Sequence, residues 1–523
     1  MDYVDNDTTL QDDLHYWQNQ LQNNPDDWQA ALNLSTLQVK NNTIESALNT
    51  VQKTLHHHNQ QFEVWRQLGN IKRYQNKIQE AQQAYQQALQ LNPQDADSMN
   101  HLGLIAFNQQ QWSQAEQWFK QALSQRPDYI GAMYNLALCH KNQYNFDEAT
   151  ACLLAILDAE PNHLHSYMSL GRIALENQSP QRAEWAFKKA SKLSPHDKTV
   201  LEAITQILLD HHHYKLARPF CQNLTQLAPD NPASWYNLAV IYEKENNLSK
   251  ALTNYQYALD VDPNYFPALN NAGVVCLALE QRQTAHFYFN QALKCRPDDE
   301  SIRYTLSALN GESRVQAPEQ YIEQLFDAYA EHFDHHLMVG LDYQIPDLLR
   351  QACNPHLPSS KVDLLDLGCG TGLAAEAFSS ITQTMVGVDL SQRMLDKARQ
   401  KRIFTALHQQ SLPNFLKDHQ QFYDIILAGD VFTYFGDLDT IFRHCQRLLK
   451  AEGLFCFSIE RSQNQGYELQ ASGRFAHNPE HIKELADIHE LDWIDSFKAA
   501  TRQQHNQAVA GEIILLRKPN EVK

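Results

Sequence analysis

At 523 residues the chain exceeds what a single hydrophobic core usually serves, so two or three domains are expected. Its 43 Lys and Arg against 61 Asp and Glu give a formal net charge of −18, which excludes the basic footprint that holds a nucleic-acid partner. The opening Met1-Asp2-Tyr3-Val4-Asp5-Asn6-Asp7 is acidic where a signal peptide is basic, no apolar run is long enough to span a bilayer, and the nine cysteines form no Cys-x-x-Cys pair, so a cytoplasmic protein with no membrane association and no metal centre is expected.

Leu10, Leu14, Trp17 and Leu21 make one apolar helix face that stops before Pro25, which suits a capping helix over residues 1–27. Beyond it proline recurs at Pro93, Pro127, Pro161, Pro195, Pro229, Pro263 and Pro297, always 34 residues apart. With Phe62 as position 1, position 20 holds Ala81, Ala115, Ala149, Ala183, Ala217, Ala251 and Ala285, and position 8 is small throughout, as in Gly69, Gly103 and Gly171. Small residues are expected where helix A of each unit crosses helix B, with large ones such as Trp65, Leu68 and Tyr85 filling the rest. This register resembles tetratricopeptide repeats, and implies an α-solenoid of eight repeats over 28–299. A second cap and linker is expected over 300–318, with Ile302, Leu306 and Leu309 on its apolar face.

Such solenoids bind other molecules on a concave surface lined by the A helices. Position 6 places amides on that wall at Asn33, Asn135, Asn237 and Asn271, and an amide both donates to and accepts from a peptide backbone. The array of the O-linked N-acetylglucosamine transferase is similar in holding extended chains this way, which implies a protein or peptide partner. Equally, asparagine is a common residue at this position, and His101, Ser169 and Ala203 interrupt the ladder. The runs His56-His57-His58 and His211-His212-His213 read as solvated loop histidines.

Asn310 to Pro318 breaks the pattern and is the expected domain boundary. An aromatic-rich helical lead-in over 319–361 follows, in which Tyr329 and Phe333 either face a bound cation or pack as core. From residue 362 to 518 apolar strands alternate with helical stretches, near 362–367, 384–389, 404–410, 422–428 and 454–460, then a pair near 492–499 and 508–517. That pattern is a doubly wound sheet with ligands at its carboxyl ends. The first strand runs into Leu364-Leu365-Asp366-Leu367-Gly368-Cys369-Gly370-Thr371-Gly372, and the second ends in Asp389, followed by Ser391, Met394 and Leu395. Glycine lets the backbone reach φ > 0 and approach a ligand closely, and an acid at the end of the next strand accepts from both ribose hydroxyls.

The spacing Gly-x-Gly-x-Gly resembles motif I of class I S-adenosylmethionine-dependent methyltransferases. That resemblance implies a Rossmann-like domain with a mixed seven-stranded sheet and S-adenosylmethionine as cofactor. It implies cofactor contacts from Asp366, Gly368, Gly370, Asp389, Asp430, Tyr329 and Phe333, with Met394 against adenine. Where the family usually has an acid after the third strand this chain has Ser411, which still accepts a hydrogen bond. No Asn/Asp-Pro-Pro-aromatic motif follows the fourth strand, which reads Ala428-Gly429-Asp430-Val431-Phe432-Thr433-Tyr434-Phe435. Phe457-Ser458-Ile459-Glu460 and Gly473-Arg474-Phe475-Ala476-His477 look like segments of bacterial methyltransferases, some fused to tetratricopeptide repeats. Glu460 and His477 are then candidate bases, and Tyr467 and Arg474 candidate substrate contacts, Arg474 as a carboxylate anchor. The leading expectation is a methyltransferase whose array recruits a protein or peptide. A small-molecule O-methyltransferase, or an adaptor with a non-catalytic cofactor domain, are the alternatives.

Overall fold

The computed structural model describes residues 6–330, 333–335, 343–504 and 507–520. They form two compact units, 1–229 and 230–523. In both, helices alternate with the 34-residue period: Trp28–Lys40 with Ile44–His57 opens the series and Phe266–Ala278 with Arg282–Cys295 closes it, eight pairs in all. Helix Asn6–Asn23 precedes the first pair, with Leu14, Trp17 and Leu21 half-buried, and helix Glu300–Asn310 follows the last.

Local chemistry fixes each pair. Five of the eight A helices start at a side-chain cap, as where Asp27 accepts from the amide of Ala30 and Asn231 from that of Ala233. The turn to helix B passes through one left-handed residue, always at the same repeat position: Asn42, Asn76, Gln110, Tyr144, Gln178, His212, Asn246 and Glu280. Where position 8 is glycine it faces the aromatic ring at position 24. A Cβ on Gly69 would lie 2.6 Å from the Tyr85 ring, and one on Gly273 2.8 Å from the Phe289 ring. Close helix approach is therefore set by ring against backbone, while the alanines at position 20 are fully buried.

In the second unit the array's end runs into the α/β fold. Strands β1 (Val362–Leu367), β2 (Thr382–Asp389), β3 (Ala406–Gln409), β4 (Tyr423–Ala428), β5 (Leu449–Glu460), β8 (Asp492–Gln504) and β9 (Gln507–Arg517) form one sheet, ordered β3-β2-β1-β4-β5-β9-β8. Strands β1 to β5 are parallel, and β9 is antiparallel to both β5 and β8. Strand order reverses between β1 and β4, the position at which such sheets open a crevice. A separate ribbon of β6 (Tyr467–Leu469) and β7 (Phe475–His477) was not anticipated from the sequence.

Both sheet faces are covered. Leu365, Leu367, Ile426, Phe455 and Phe457 pack with Phe415, Phe442 and Ile482 on one side. Val362, Leu364, Ile425, Leu427 and Cys456 pack with Ile345, Leu349 and Phe378 on the other. The first of these cores also takes in Tyr304 and Ala308 of helix Glu300–Asn310, with Ala317 and Ile322 beyond it. The expected boundary segment is thus part of a core: Gly436 N donates to Val315 O at 2.7 Å and Ala317 N to Tyr434 O at 2.8 Å.

Candidate functional site

At the end of β1 the chain turns through Gly368, Gly370 and Gly372, with φ of +63°, +52° and +86°. A Cβ on Gly368 would lie 2.6 Å from Val431, whereas at Gly370 the nearest atom is in the Phe333 ring at 3.8 Å. Gly370 therefore borders open space that a side chain would intrude upon, the condition for close approach of a ligand. Asp389 closes β2 and clamps this loop: its carboxylate accepts from Gly370 N and from Ser391 N, each at 2.9 Å. Asp366 is almost fully buried beneath it. Burial, with the Asp389 charge second, pushes its carboxyl up to about 8. Burial also raises Asp389.

These residues border a cavity of ≈ 300 Å³ at the carboxyl ends of the parallel strands. Of the residues singled out from the sequence, Asp366, Gly368, Gly370, Asp389, Ser411, Asp430, Phe333 and Arg474 line it together. Met394 does not. It is fully buried on helix Gln392–Lys401, which begins at the cap Ser391, and the wall there is formed by Leu390 instead. The side chain of Tyr329 lies outside the described residues. Leu390, Phe326, Tyr343 and Tyr434 line the cavity without having been singled out from the sequence. They come from separate elements and no local pattern marks them.

The lead-in is held over the loop by polar ties. Ser391 Oγ donates to Asp327 Oδ1 at 2.5 Å, and Thr371 Oγ1 donates to Asp334 Oδ1. Phe333, Phe326 and Tyr434 meet edge to face, with centroids 6.0 and 5.5 Å apart.

At the far end Arg474 donates through Nε to Glu460 Oε1 (2.7 Å), through Nη2 to Asp430 Oδ1 (2.5 Å) and through Nη1 to the Tyr434 hydroxyl (3.1 Å). Asp430 itself has φ +59°, a left-handed conformation unusual for a residue with a side chain. The Arg474 fork is thus occupied by two carboxylates, and it does not present the free guanidinium that a carboxylate anchor needs. Glu460 is 2% exposed and stands behind Arg474, outside the cavity lining. His477 is fully buried, its Nε2 3.2 Å from the Gly436 carbonyl oxygen, and burial lowers its imidazole to about 4. It is neutral at physiological pH and does not border the cavity. Tyr467 packs on the ribbon against Phe475 and His477, also away from the lining. The geometry therefore gathers the glycine loop, Asp366, Asp389 and Ser411 at one cavity and leaves both candidate bases outside its lining.

The position-6 asparagines divide. Asn33 is exposed, while Asn135 Nδ2 donates to Asn100 Oδ1 at 3.0 Å within the first unit. In the second unit Asn237 is half-buried and Asn271 Nδ2 reaches the hydroxyls of Tyr255 (3.2 Å) and Tyr236 (3.4 Å). Asn135 and Asn271 thus hold neighbouring helices together. Among the described residues no group of His, Cys, Asp or Glu is placed to hold a metal, and no helix is long and apolar enough to cross a membrane.

A glycine loop after β1, an acid ending β2 and a mixed seven-stranded sheet define a class I methyltransferase domain, here joined to tetratricopeptide repeats. The residues fit S-adenosylmethionine: Asp366 Oδ2 and Ser411 Oγ are buried with no hydrogen-bond partner, and Gly370 opens onto the same space. A family model described as a methyltransferase domain matches residues 365–455, and tetratricopeptide repeat models match 66–130, 107–173 and 232–265. The chain is 27% identical over 139 residues to the ubiquinone biosynthesis O-methyltransferase of Pelagibacter ubique, covering 26% of this chain and 55% of that one. It is 27% identical over 136 residues to the malonyl-[acyl-carrier protein] O-methyltransferase of Legionella pneumophila, covering 24% and 46%. Among solved structures it is similar to the N-methyltransferase NodS of Bradyrhizobium japonicum in complex with S-adenosyl-L-homocysteine, at 18% identity and a TM-score of 0.32, covering 38% of this chain and 99% of that one. The chain spans about half the length of the curated relatives it matches, 55%, 37% and 61% for the first three.

Proposed function

We propose that this protein transfers the methyl group of S-adenosylmethionine to an acceptor brought to it by a protein or peptide bound on the repeat array. The observation that carries the catalytic half is the cavity itself, with two partnerless buried acceptors, Asp366 Oδ2 and Ser411 Oγ, beside the Asp389-clamped glycine loop. S-adenosylmethionine supplies an electrophilic methyl group when bound. Asp389 would accept from the ribose hydroxyls and Phe333 would cover the loop, while Ile322, Leu325, Phe326 and Phe435 exclude water from the acceptor end. Methyl transfer is an in-line displacement that depends chiefly on alignment. With Glu460 and His477 behind the wall, this reading asks the site to align the acceptor rather than deprotonate it.

The acceptor end favours an uncharged or cationic group over a carboxylate, because Arg474 already faces two carboxylates. The recruiting half of the proposal is supported by the repeats, whose architecture serves partner binding in general. Incubating the pure protein with radiolabelled S-adenosylmethionine and host lysate tests it. Label on a macromolecule is expected, and label confined to small molecules would overturn the recruitment. That second outcome is the reading favoured by the names of the ubiquinone-biosynthesis relatives, under which the chain is a small-molecule O-methyltransferase and the repeats serve assembly.

A further inference from the structure

We infer that Tyr304, on the helix that ends the repeat array, is a positioning residue for Arg474, so that the acceptor end of the cavity is assembled only when that helix is in place. The inference rests on the methyltransferase reading above. Tyr304 is 1% exposed and its hydroxyl donates to the Gly473 carbonyl at 2.9 Å, across 169 positions of sequence. That carbonyl belongs to the peptide unit whose nitrogen is that of Arg474. The turn holding it is tight: Gly473 N donates to Gln470 O and Gln470 N to Arg474 O, both at 2.9 Å. Gly473 has φ +75°, and a Cβ there would lie 2.9 Å from the Tyr321 hydroxyl oxygen. Tyr304 also packs on Tyr321, with centroids 5.0 Å apart.

From this anchored turn the Arg474 side chain reaches Glu460 at the end of β5, then Asp430 and Tyr434 after β4. A guanidinium bonded in three directions is held in one orientation by its partners, and it reaches them only if its Cα and the direction of its Cα–Cβ bond are correctly placed. The peptide unit joining Gly473 to Arg474 helps place that bond, and Tyr304 anchors its carbonyl. A second tie acts on the loop after β4. The chain leaving the helix bonds to it through Val315 O and Ala317 N, so Tyr434 is held from the array side as well. Gln316, Ala317, Glu319 and Ile322 of the same stretch line the cavity. The segment that leaves the array's last helix therefore forms part of the acceptor wall.

The test is Tyr304→Phe in the full chain, which removes the hydroxyl and keeps the ring. The direct readout is the Arg474 Nε–H resonance in a protein labelled with ¹⁵N-arginine, assigned by its disappearance in Arg474→Lys. In the wild type this proton is held by Glu460 and should exchange slowly. In Tyr304→Phe it should shift and exchange at least tenfold faster, while affinity for S-adenosylmethionine stays within about twofold and label transfer to the lysate acceptor falls tenfold or more. An unchanged resonance in a folded Tyr304→Phe protein overturns the inference, as does a parallel loss of cofactor affinity, which would mean a general loosening. If the phenylalanine variant does not accumulate folded, Tyr304→Met repeats the measurement with apolar bulk retained. Should the wild type transfer no label at all, the methyltransferase reading fails, and the resonance still decides the positioning.

Discussion

Asp389 ties the cofactor side together, since one carboxylate clamps the glycine loop through Gly370 N, caps the next turn through Ser391 N and faces the cavity. Hydrogen bonds to a charged group contribute about 1.5–3 kcal/mol each. Asp389→Ala should therefore weaken S-adenosylmethionine binding roughly tenfold to several hundredfold, each 1.4 kcal/mol being a factor of ten. Asp389→Asn should be milder, because an amide oxygen still accepts. Calorimetric titration checks both, and unchanged affinity in a folded Asp389→Ala protein would displace the nucleoside from this site. Its neighbour Asp366 gives a pH dependence. Burial lifts its carboxyl to about 8 from 3.8, so between these values the native state holds a proton that the unfolded chain has lost. Native stability without cofactor should then fall as pH rises from about 4 to about 8, with a steepest slope near 1.4 kcal/mol per pH unit from this group. Asp366→Asn should flatten that part of the profile in thermal or urea unfolding, and an identical profile would refute the assignment.

The repeated turn and the repeated glycine differ in how they constrain sequence. Every A-to-B turn needs one residue at φ near +60°, and Tyr144 occupies one of these at 80% exposure. A bulky side chain resists the left-handed region, whereas asparagine tolerates it. Tyr144→Asn should raise stability by roughly 0.5–1 kcal/mol, read as an upward shift of the unfolding midpoint. Gly171 is the opposite case, because a Cβ there would enter the Phe187 ring. Gly171→Ala should cost about 1–3 kcal/mol as overpacking, visible in the same measurement. Both effects follow the 34-residue register, and for that reason the helix pairs of the array were legible in the sequence. The glycine loop and Asp389 were legible for a related reason: each lies at a strand end, where chain order and spatial order coincide. Legibility ended where contacts cross long stretches of chain. Arg474 meets Asp430 across 44 positions and Glu460 across 14, and no spacing rule joins the three. The ribbon β6–β7 escaped notice because three-residue strands carry no period. Met394 was placed by the resemblance of the segment after Asp389 to the methyltransferase family, while the cavity wall fell to Leu390 before the cap.

On the scale of the molecule, where the chain is cut decides what a truncation can teach. Removing residues 1–310 looks natural from sequence, since Asn310 to Pro318 reads as a linker. The compact unit that contains the cavity begins at Asp230 instead. A cut at 310 strips Tyr304 and Ala308 from a core they share with Leu365, Phe457 and Phe475. It also leaves the Gly473 carbonyl without its donor. Loss of a large buried aromatic side chain alone costs about 3–5 kcal/mol, against a typical net stability of roughly 5–15 kcal/mol. Residues 311–523 should therefore unfold at markedly lower temperature, or collect as insoluble protein. Residues 230–523 should unfold cooperatively and bind S-adenosylmethionine within about threefold of the full chain. Scanning calorimetry and cofactor titration on the two fragments decide this, and equal stability would mean that the array's end is not part of the catalytic core. The longer fragment then serves as the clean probe of recruitment. If it binds cofactor but no longer labels the macromolecular acceptor, the first 229 residues carry the partner, whereas the same loss in residues 311–523 would say only that the core had been damaged.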